Sequence, residues 1–328
     1  MKTLMIYGAA GYTGRMATDH ARAAGLDIVL AGRDEASLAR LAAETGLAYR
    51  VFPVDAGPAA DEALSDVAVL LNCAGPFLRT AEPLMRACIR NGVHYLDIAA
   101  ELDSYRLAEA LDSEAAAAGV MLLPGSGGSV AMLGSLAARA IERAGAPAET
   151  LRIALHVAGS MSRGSAISAS ENMTAETLIR QGGKLVAHPT SETRPFDFGQ
   201  GSVDCFPVTL PDLITIGRTH AVPNIETYVH VSGDAFPEGD LAALPDGPSF
   251  EQREANRYHA AVEVITRSGA VSRATLETVN GYSFTPMAAA EAARRVLEGE
   301  IRPGFQTPIG LFGSGFAETI ADTRIDAI

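Results

Sequence analysis

From residue 3 to about 145, short apolar runs alternate with longer stretches whose apolar positions recur at helical spacing. TLMIY precedes a helical pattern running to Ala24, DIVLAG precedes one closed by Gly46, and YRVFPV and VAVLLNC follow. A helix over Thr80–Asn91, with Pro83 in its first turn and Gly92 past its end, leads to the strand GVHYLDIA. Residues 103–118 read as helix, GVMLLPG as a sixth strand, and Ser129–Ala144 as a long helix of small residues. This alternation predicts βαβ units and an α/β fold: a doubly wound parallel sheet of six strands.

Past AGAP (144–147) the period changes. LRIALHVAG and ETYVHVSG alternate like half-buried strands, so the expected division is residues 1–128 for the first domain and 129–328 for an α+β second domain. Residues 232–249, SGDAFPEGDLAALPDGPS, read as loop. Ser249 and Gln252 suggest a capping box for a helix through Thr266, and Thr285–Pro286 the opening of another that Gly299 closes.

Composition narrows the functional classes. The chain is 48% apolar and 20% charged, and no stretch approaches the length of apolar sequence a membrane span needs. The N-terminus, MKTLMIYG, carries one Lys and a short apolar run that passes straight into glycines, so no targeting segment is expected and the cytoplasm is the expected location. Cys73, Cys88 and Cys205 lie far apart, without the spacing of a disulfide framework or zinc ribbon. A net charge of −13 argues against nucleic acid, and the histidines at 20, 94, 156, 188, 220, 230 and 259 show no metal-ligand spacing. No membrane and no metal are therefore expected, and the partner is a small-molecule substrate.

The chemistry begins at YGAAGYTG. Gly8, Gly11 and Gly14 follow an apolar strand and open a helix, so backbone N–H groups and the helix N-terminus face a pyrophosphate. Gly8 permits the turn, Gly11 lets phosphate approach, and Gly14 allows helix and strand to pack closely. At the end of the second strand, where an acid binds the ribose hydroxyls of NAD, the chain reads LAGRD. Arg33 suits a 2′-phosphate and Asp34 suits the N-cap of the next helix, so NADP(H) is expected over NAD. Asp55, after the third strand, is either an acceptor for the adenine amino group or a turn former. NCAGPF puts Asn72, Ala74, Gly75, Pro76 and Phe77 where ribose and nicotinamide pass.

GAAGYTG, LAGRD, LLNCAGPF and HYLDIAAE, in that order, resemble the saccharopine dehydrogenase-like family of NADP-binding oxidoreductases, including its bacterial branch of trans-acting enoyl reductases. RPGFQTPIGLFGSGFAETI is similar to that family's closing segment. The resemblance implies a Rossmann domain, a second α+β domain for substrate binding and homodimerisation, a C-terminal helix returning to the first domain, and hydride chemistry. The positions it matches for cofactor contact are Gly8, Gly11, Tyr12, Thr13, Gly14, Arg33, Asn72, Ala74, Gly75, Pro76 and Phe77. LLPGSGGS (122–129) departs from the acidic elements the family carries after the sixth strand, which leaves the substrate open.

Hydride transfer to or from a C=N or conjugated C=C bond needs a proton donor beside the nicotinamide, beyond the carboxyl ends of the strands. Glu101, Asp97 and, slightly deeper, Tyr95 are the catalytic candidates; capping a turn and simple solvation are the alternatives for the two carboxylates. Arg79 and Arg163 are candidates for holding a substrate carboxylate. Lys2 and Lys184 are the only lysines, and no Tyr is followed four positions later by Lys, which excludes the short-chain dehydrogenase pair. A non-catalytic NADP(H)-binding sensor or partner protein is the rival reading.

Overall fold

A computed structural model describes residues 2–172, 176–233, 240 and 243–328. The chain divides into two units, Met1–Gly128 with Thr285–Leu311, and Ser129–Phe284 with Phe312–Ile328.

The first unit contains β1 (Thr3–Tyr7), α1 (Tyr12–Ala23), β2 (Ile28–Gly32), α2 (Glu35–Thr45), β3 (Ala48–Val51), α3 (Pro58–Leu64) and β4 (Val67–Asn72). It continues with α4 (Phe77–Asn91), β5 (His94–Asp97), α5 (Leu102–Ala110), α6 (Asp112–Ala117) and β6 (Met121–Leu123). The second unit begins with α7 (Ser129–Ala144), β7 (Ala148–Ala158), α8 (Arg163–Asn172), β8 (Leu178–Gln181), β9 (Lys184–Ala187), β10 (Arg194–Asp197) and β11 (Ser202–Pro207). Next come α9 (Asp212–His220), β12 (Asn224–Ser232), α10 (Phe250–Ala255), β13 (Tyr258–Thr266) and β14 (Val271–Thr278); α11 (Gly281–Glu298) then runs from the second unit into the first, which also holds β15 (Gly304–Phe305) and most of α12 (Pro308–Phe312), and β16 (Arg324–Ala327) belongs to the second.

The first sheet is parallel, in the order β15-β6-β5-β4-β1-β2-β3. The six-strand series is therefore extended by a seventh, β15, supplied by the returning C-terminal segment. The first two strands are buried along their whole length, as a sheet covered on both faces requires. The order reverses between β1 and β4, whose last residues Tyr7 and Asn72 lie side by side, with Asp97 next to Asn72 on β5. Loops leaving these ends form the crevice of a doubly wound fold.

Several helix limits differ from those the sequence predicts. The helix expected at Thr80 starts at Phe77, because the buried row Phe77, Thr80, Ala81, Leu84 and Cys88 is in phase from there; Pro83 consequently sits inside the helix. The helix expected over 103–118 breaks at Leu111 into α5 and α6. The Ser249–Gln252 capping box is present, yet its helix ends at Ala255, and Tyr258–Thr266 is a strand between β7 and β14. Alternating burial along this β-branched run overrides the helix signal. α11 opens at Gly281 rather than Thr285, because the Asn280 side chain accepts from Tyr282 N at 3.0 Å and caps it one turn earlier. The expected 232–249 loop lies partly outside the described residues.

Among the described residues the second sheet has nine strands, with the path β10-β11-β12-β7-β13-β14-β16 and β8–β9 paired to its side. His230, His156 and His259 stand opposite one another on β12, β7 and β13, and the central ring lies 4.8 and 5.8 Å from its neighbours. Burial and the two flanking imidazoles push His156 down to about 4. The folded state thus holds this ring neutral where the unfolded chain binds a proton, so its contribution to stability is present above about pH 6.5 and is lost as pH falls towards 4. His156→Gln should shallow the fall in melting temperature between pH 6.5 and 4; an unchanged slope would remove His156 from the acid transition.

Candidate active site

The bend after β1 is built by sterics. Gly8 has φ +79° and a Cβ there would lie 2.8 Å from Ala74 N, so the first glycine both turns the chain and seats it against the loop after β4. A Cβ on Gly14 would lie 2.2 Å from the Gly8 carbonyl oxygen, which places the first turn of α1 hard against the bend. Gly11 is the N-cap of α1 and offers no side-chain cap, leaving that end open to an anion. Tyr12 and Thr13 begin the helix.

Beside this bend, Arg33 follows β2 and is exposed. Asp34 turns away: its carboxylate accepts from Ser37 Oγ at 2.6 Å and Ala36 N at 3.2 Å, capping α2 and holding its pKa below the usual range. Tyr7, whose hydroxyl donates to the Phe52 carbonyl at 2.9 Å, closes the adjoining wall. Burial pushes that hydroxyl to about 12, while Arg33 pulls it down and Asp55 pushes it up, so both charges act at one spot beyond β1 to β3. Sequence reasoning passed over Tyr7; its position directly before the first glycine was the available signal.

On the other side, the buried Asn72 anchors the turn after β4. Its Oδ1 accepts from Ala74 N at 2.9 Å, and its Nδ2 donates to Thr80 Oγ1 and Tyr95 Oη, each at 3.1 Å. Thr80 Oγ1 donates in turn to the Ala74 carbonyl at 2.6 Å, so both polar groups of Ala74 are held. Gly75 is exposed, Pro76 precedes α4 and Phe77 is buried, while Leu78 and Arg79 face outward in the first turn.

Tyr95 and Asp97 are fully buried. Tyr95 Oη donates to Asp97 Oδ2 at 2.9 Å, and Asp97 Oδ1 accepts from Ala99 N at 3.0 Å and Gly125 N at 2.8 Å. Burial pushes Asp97 up to about 6 despite these donors, and Tyr95 well above the ordinary phenol value. These two groups tie the ends of β4, β5 and β6 together. Glu101, half-buried at the start of α5, is placed towards solvent, with Oε2 accepting from Ala100 N at 3.3 Å. Arg163 belongs to the second unit, at the start of α8, where it pairs with Asp246 and donates to the Leu244 carbonyl at 3.2 Å.

LLPGSGGS has a packing explanation. A Cβ on Gly127 would lie 2.4 Å from the Thr285 carbonyl and 2.7 Å from Ala289 Cβ, so the small residues admit α11 against the loop after β6. Burial and Asp97 push the Cys73 thiol up to about 12, which leaves it protonated and unactivated at neutral pH. Among the described residues, no group of three His, Cys, Asp or Glu is arranged to hold a metal ion, and no helix is long and apolar enough to cross a membrane.

Residues 4–123 match the model of the saccharopine dehydrogenase NADP binding domain. Over this stretch the chain is similar to a saccharopine dehydrogenase-type NADP-binding domain. A human saccharopine dehydrogenase-like oxidoreductase is 32% identical over 38% of this chain and 34% of its own length. The Mycobacterium leprae trans-acting enoyl reductase is 34% identical over 30% of this chain and 25% of its own. The chain thus spans about a third or less of these relatives. Across both whole chains, the fold is similar to saccharopine dehydrogenase (L-Glu forming) from Saccharomyces cerevisiae, with a TM-score of 0.66 at 13% identity.

Proposed function

We propose that this protein is an NADP(H)-dependent oxidoreductase that moves a hydride to or from a C=N or conjugated C=C bond of a small or acyl metabolite. The observation that carries the reading is the bend Gly8–Gly14, set at the strand-order reversal of an NADP-binding domain with Arg33 beyond the next strand. The bound nicotinamide would supply the hydride chemistry. The first turn of α1 and the Gly11 backbone would hold the diphosphate, Arg33 the 2′-phosphate, Asp55 the adenine edge, and the Ala74–Phe77 turn the nicotinamide ribose. Glu101 is the proposed proton donor, since Tyr95 and Asp97 are committed to buried hydrogen bonds. Arg79 would face the substrate at the crevice mouth, and Arg163 remains a proposed anchor of the second unit. A cytoplasmic homodimer accompanies this reading on the strength of the family resemblance.

Arg33→Ala should weaken NADPH binding roughly 10- to 100-fold and change NADH binding little, as expected for the loss of a charge-assisted phosphate contact. Titration calorimetry with both nucleotides checks this; equal losses for both would remove Arg33 as the selecting residue. The burial of Tyr95 and Asp97 also supports the sensor reading. Incubation with NADPH and pools of imines and enoyl compounds separates the two: oxidation of the nicotinamide identifies an enzyme, whereas thermal stabilisation without consumption identifies a sensor.

A further inference from the structure

Thr80, Asn72, Tyr95 and Asp97 form one directed chain of hydrogen bonds running from the turn after β4 to the loop after β6. Every donor in it has a single workable direction. Asn72 Nδ2 carries protons only, so Tyr95 Oη must accept from it and therefore points its own proton at Asp97. That arrangement requires Asp97 Oδ2 to be an acceptor, while Oδ1 already takes two backbone amides.

We infer that Asn72, Tyr95 and Asp97 are positioning residues whose hydrogen-bond direction sets the Ala74 turn of the nucleotide site, and that a proton on Asp97 reverses that direction. A protonated Asp97 donates to Tyr95 Oη, and the phenol proton is displaced towards Asn72. There it meets an N–H group, so the Asn72 amide turns over to offer its oxygen. Its NH2 then faces Ala74 N–H, the contact that orients the turn is lost, and Ala74 moves against the Gly8 backbone on which it packs. One proton taken from solvent is thus read as a change in the cofactor cradle.

The groups facing the chain are few. Burial and, to a lesser degree, Glu101 raise Asp97; the amides of Ala99 and Gly125 and the Tyr95 hydroxyl lower it. Cys73 beside Asp97 and Cys88 of α4 beside Tyr95 are thiols held neutral by burial. Ser126 donates N–H and Oγ to the Asp97 carbonyl at 2.8 and 2.9 Å and leaves the carboxylate alone. With Asp97 titrating at about 6, the change falls between neutral and mildly acidic pH.

This inference rests on NADP(H) binding at the Gly8–Ala74 bend, and the experiment has one arm without cofactor. NADPH dissociation constants are measured from pH 5.5 to 8 for the wild type, Tyr95→Phe and Asp97→Asn. The 2′-phosphate of the nucleotide titrates in the same range, so the quantity read is the difference between proteins with the same ligand. The wild type should lose roughly tenfold more affinity on acidification than either variant. Asp97→Asn, whose amide donates to Tyr95 as the protonated acid would, should bind weakly at both ends of the range. In the second arm, the Asn72 side-chain amide of 15N-labelled, cofactor-free protein should shift with the Asp97 midpoint in the wild type and stay still in Tyr95→Phe. Equal affinity profiles in all three proteins, or an Asn72 signal that does not move with pH, would overturn the relay. Failure of every protein to bind NADPH would instead overturn the nucleotide site and leave the NMR arm to judge the relay.

Discussion

Gly14→Ala should abolish NADPH binding and destabilise the first unit, whereas Gly11→Ala should leave the melt nearly unchanged and lose affinity alone. At position 14 the added methyl would sit 2.2 Å from the Gly8 carbonyl oxygen and 2.9 Å from Ala9 Cα, both backbone atoms with no side chain to swing aside. Either α1 backs away from β1 or the bend opens; overpacking of this kind costs about 3 kcal/mol. Because the amides that receive the diphosphate ride on the same turn, binding should fall by more than ~100-fold. At position 11 the methyl would lie 3.2 Å from the same oxygen, the backbone φ is −73°, and the position is exposed. Its effect should come from crowding the phosphate. Thermal melts with and without NADPH separate the two; a Gly14→Ala protein that melts and binds like the wild type would show that the bend tolerates a side chain.

Asp212→Asn should stabilise the protein at pH 8 and do little at pH 4. Asp212 opens α9 in the second unit, is fully buried, and neither carboxyl oxygen has a hydrogen-bond partner. A helix N-terminus favours negative charge, but burial dominates: it drives the group from 3.8 up to about 7, against the opposing pull of its own backbone N–H. The folded-state value lies above the unfolded one, so the folded protein binds the extra proton. Stability is therefore full below about pH 4 and is lost as pH rises through 7. The carboxamide keeps the shape and removes the titration, and should recover roughly 2–4 kcal/mol at alkaline pH. Denaturant melts at both pH values check it. A variant whose stability follows the wild-type pH curve would mean that Asp212 is ionised in the folded protein at no cost.

Legibility in the sequence followed the range of the interactions involved. The alternation from Thr3 to Leu123 is local, so the parallel sheet and its glycine bend could be read directly, as could the Asp34 cap, which uses atoms within three residues. β15 could not: Gly304 and Phe305 form two residues of strand, held by pairing with Met121 and Leu122 and by Asp112 Oδ1 accepting from Phe305 N at 2.7 Å. Tyr258–Thr266 carried a true helix cap upstream and became a strand because β7 and β14 lie on either side of it. Within the site, Tyr95 and Asp97 were visible as chemistry-bearing residues at a strand end. Their burial, and hence their commitment to Asn72 and Gly125, depends on neighbours more than twenty positions away in the chain.

The backbone passes between the two units after Gly128, after Phe284 and after Leu311. A protein severed after residue 128 would consequently lack its outermost strand, leave the β6 edge bare, and leave Gly127 facing the space that α11 fills. Such a piece should be sticky and slow to mature, and ribosomal synthesis cannot finish the nucleotide-binding half until the chain has been made as far as Leu311.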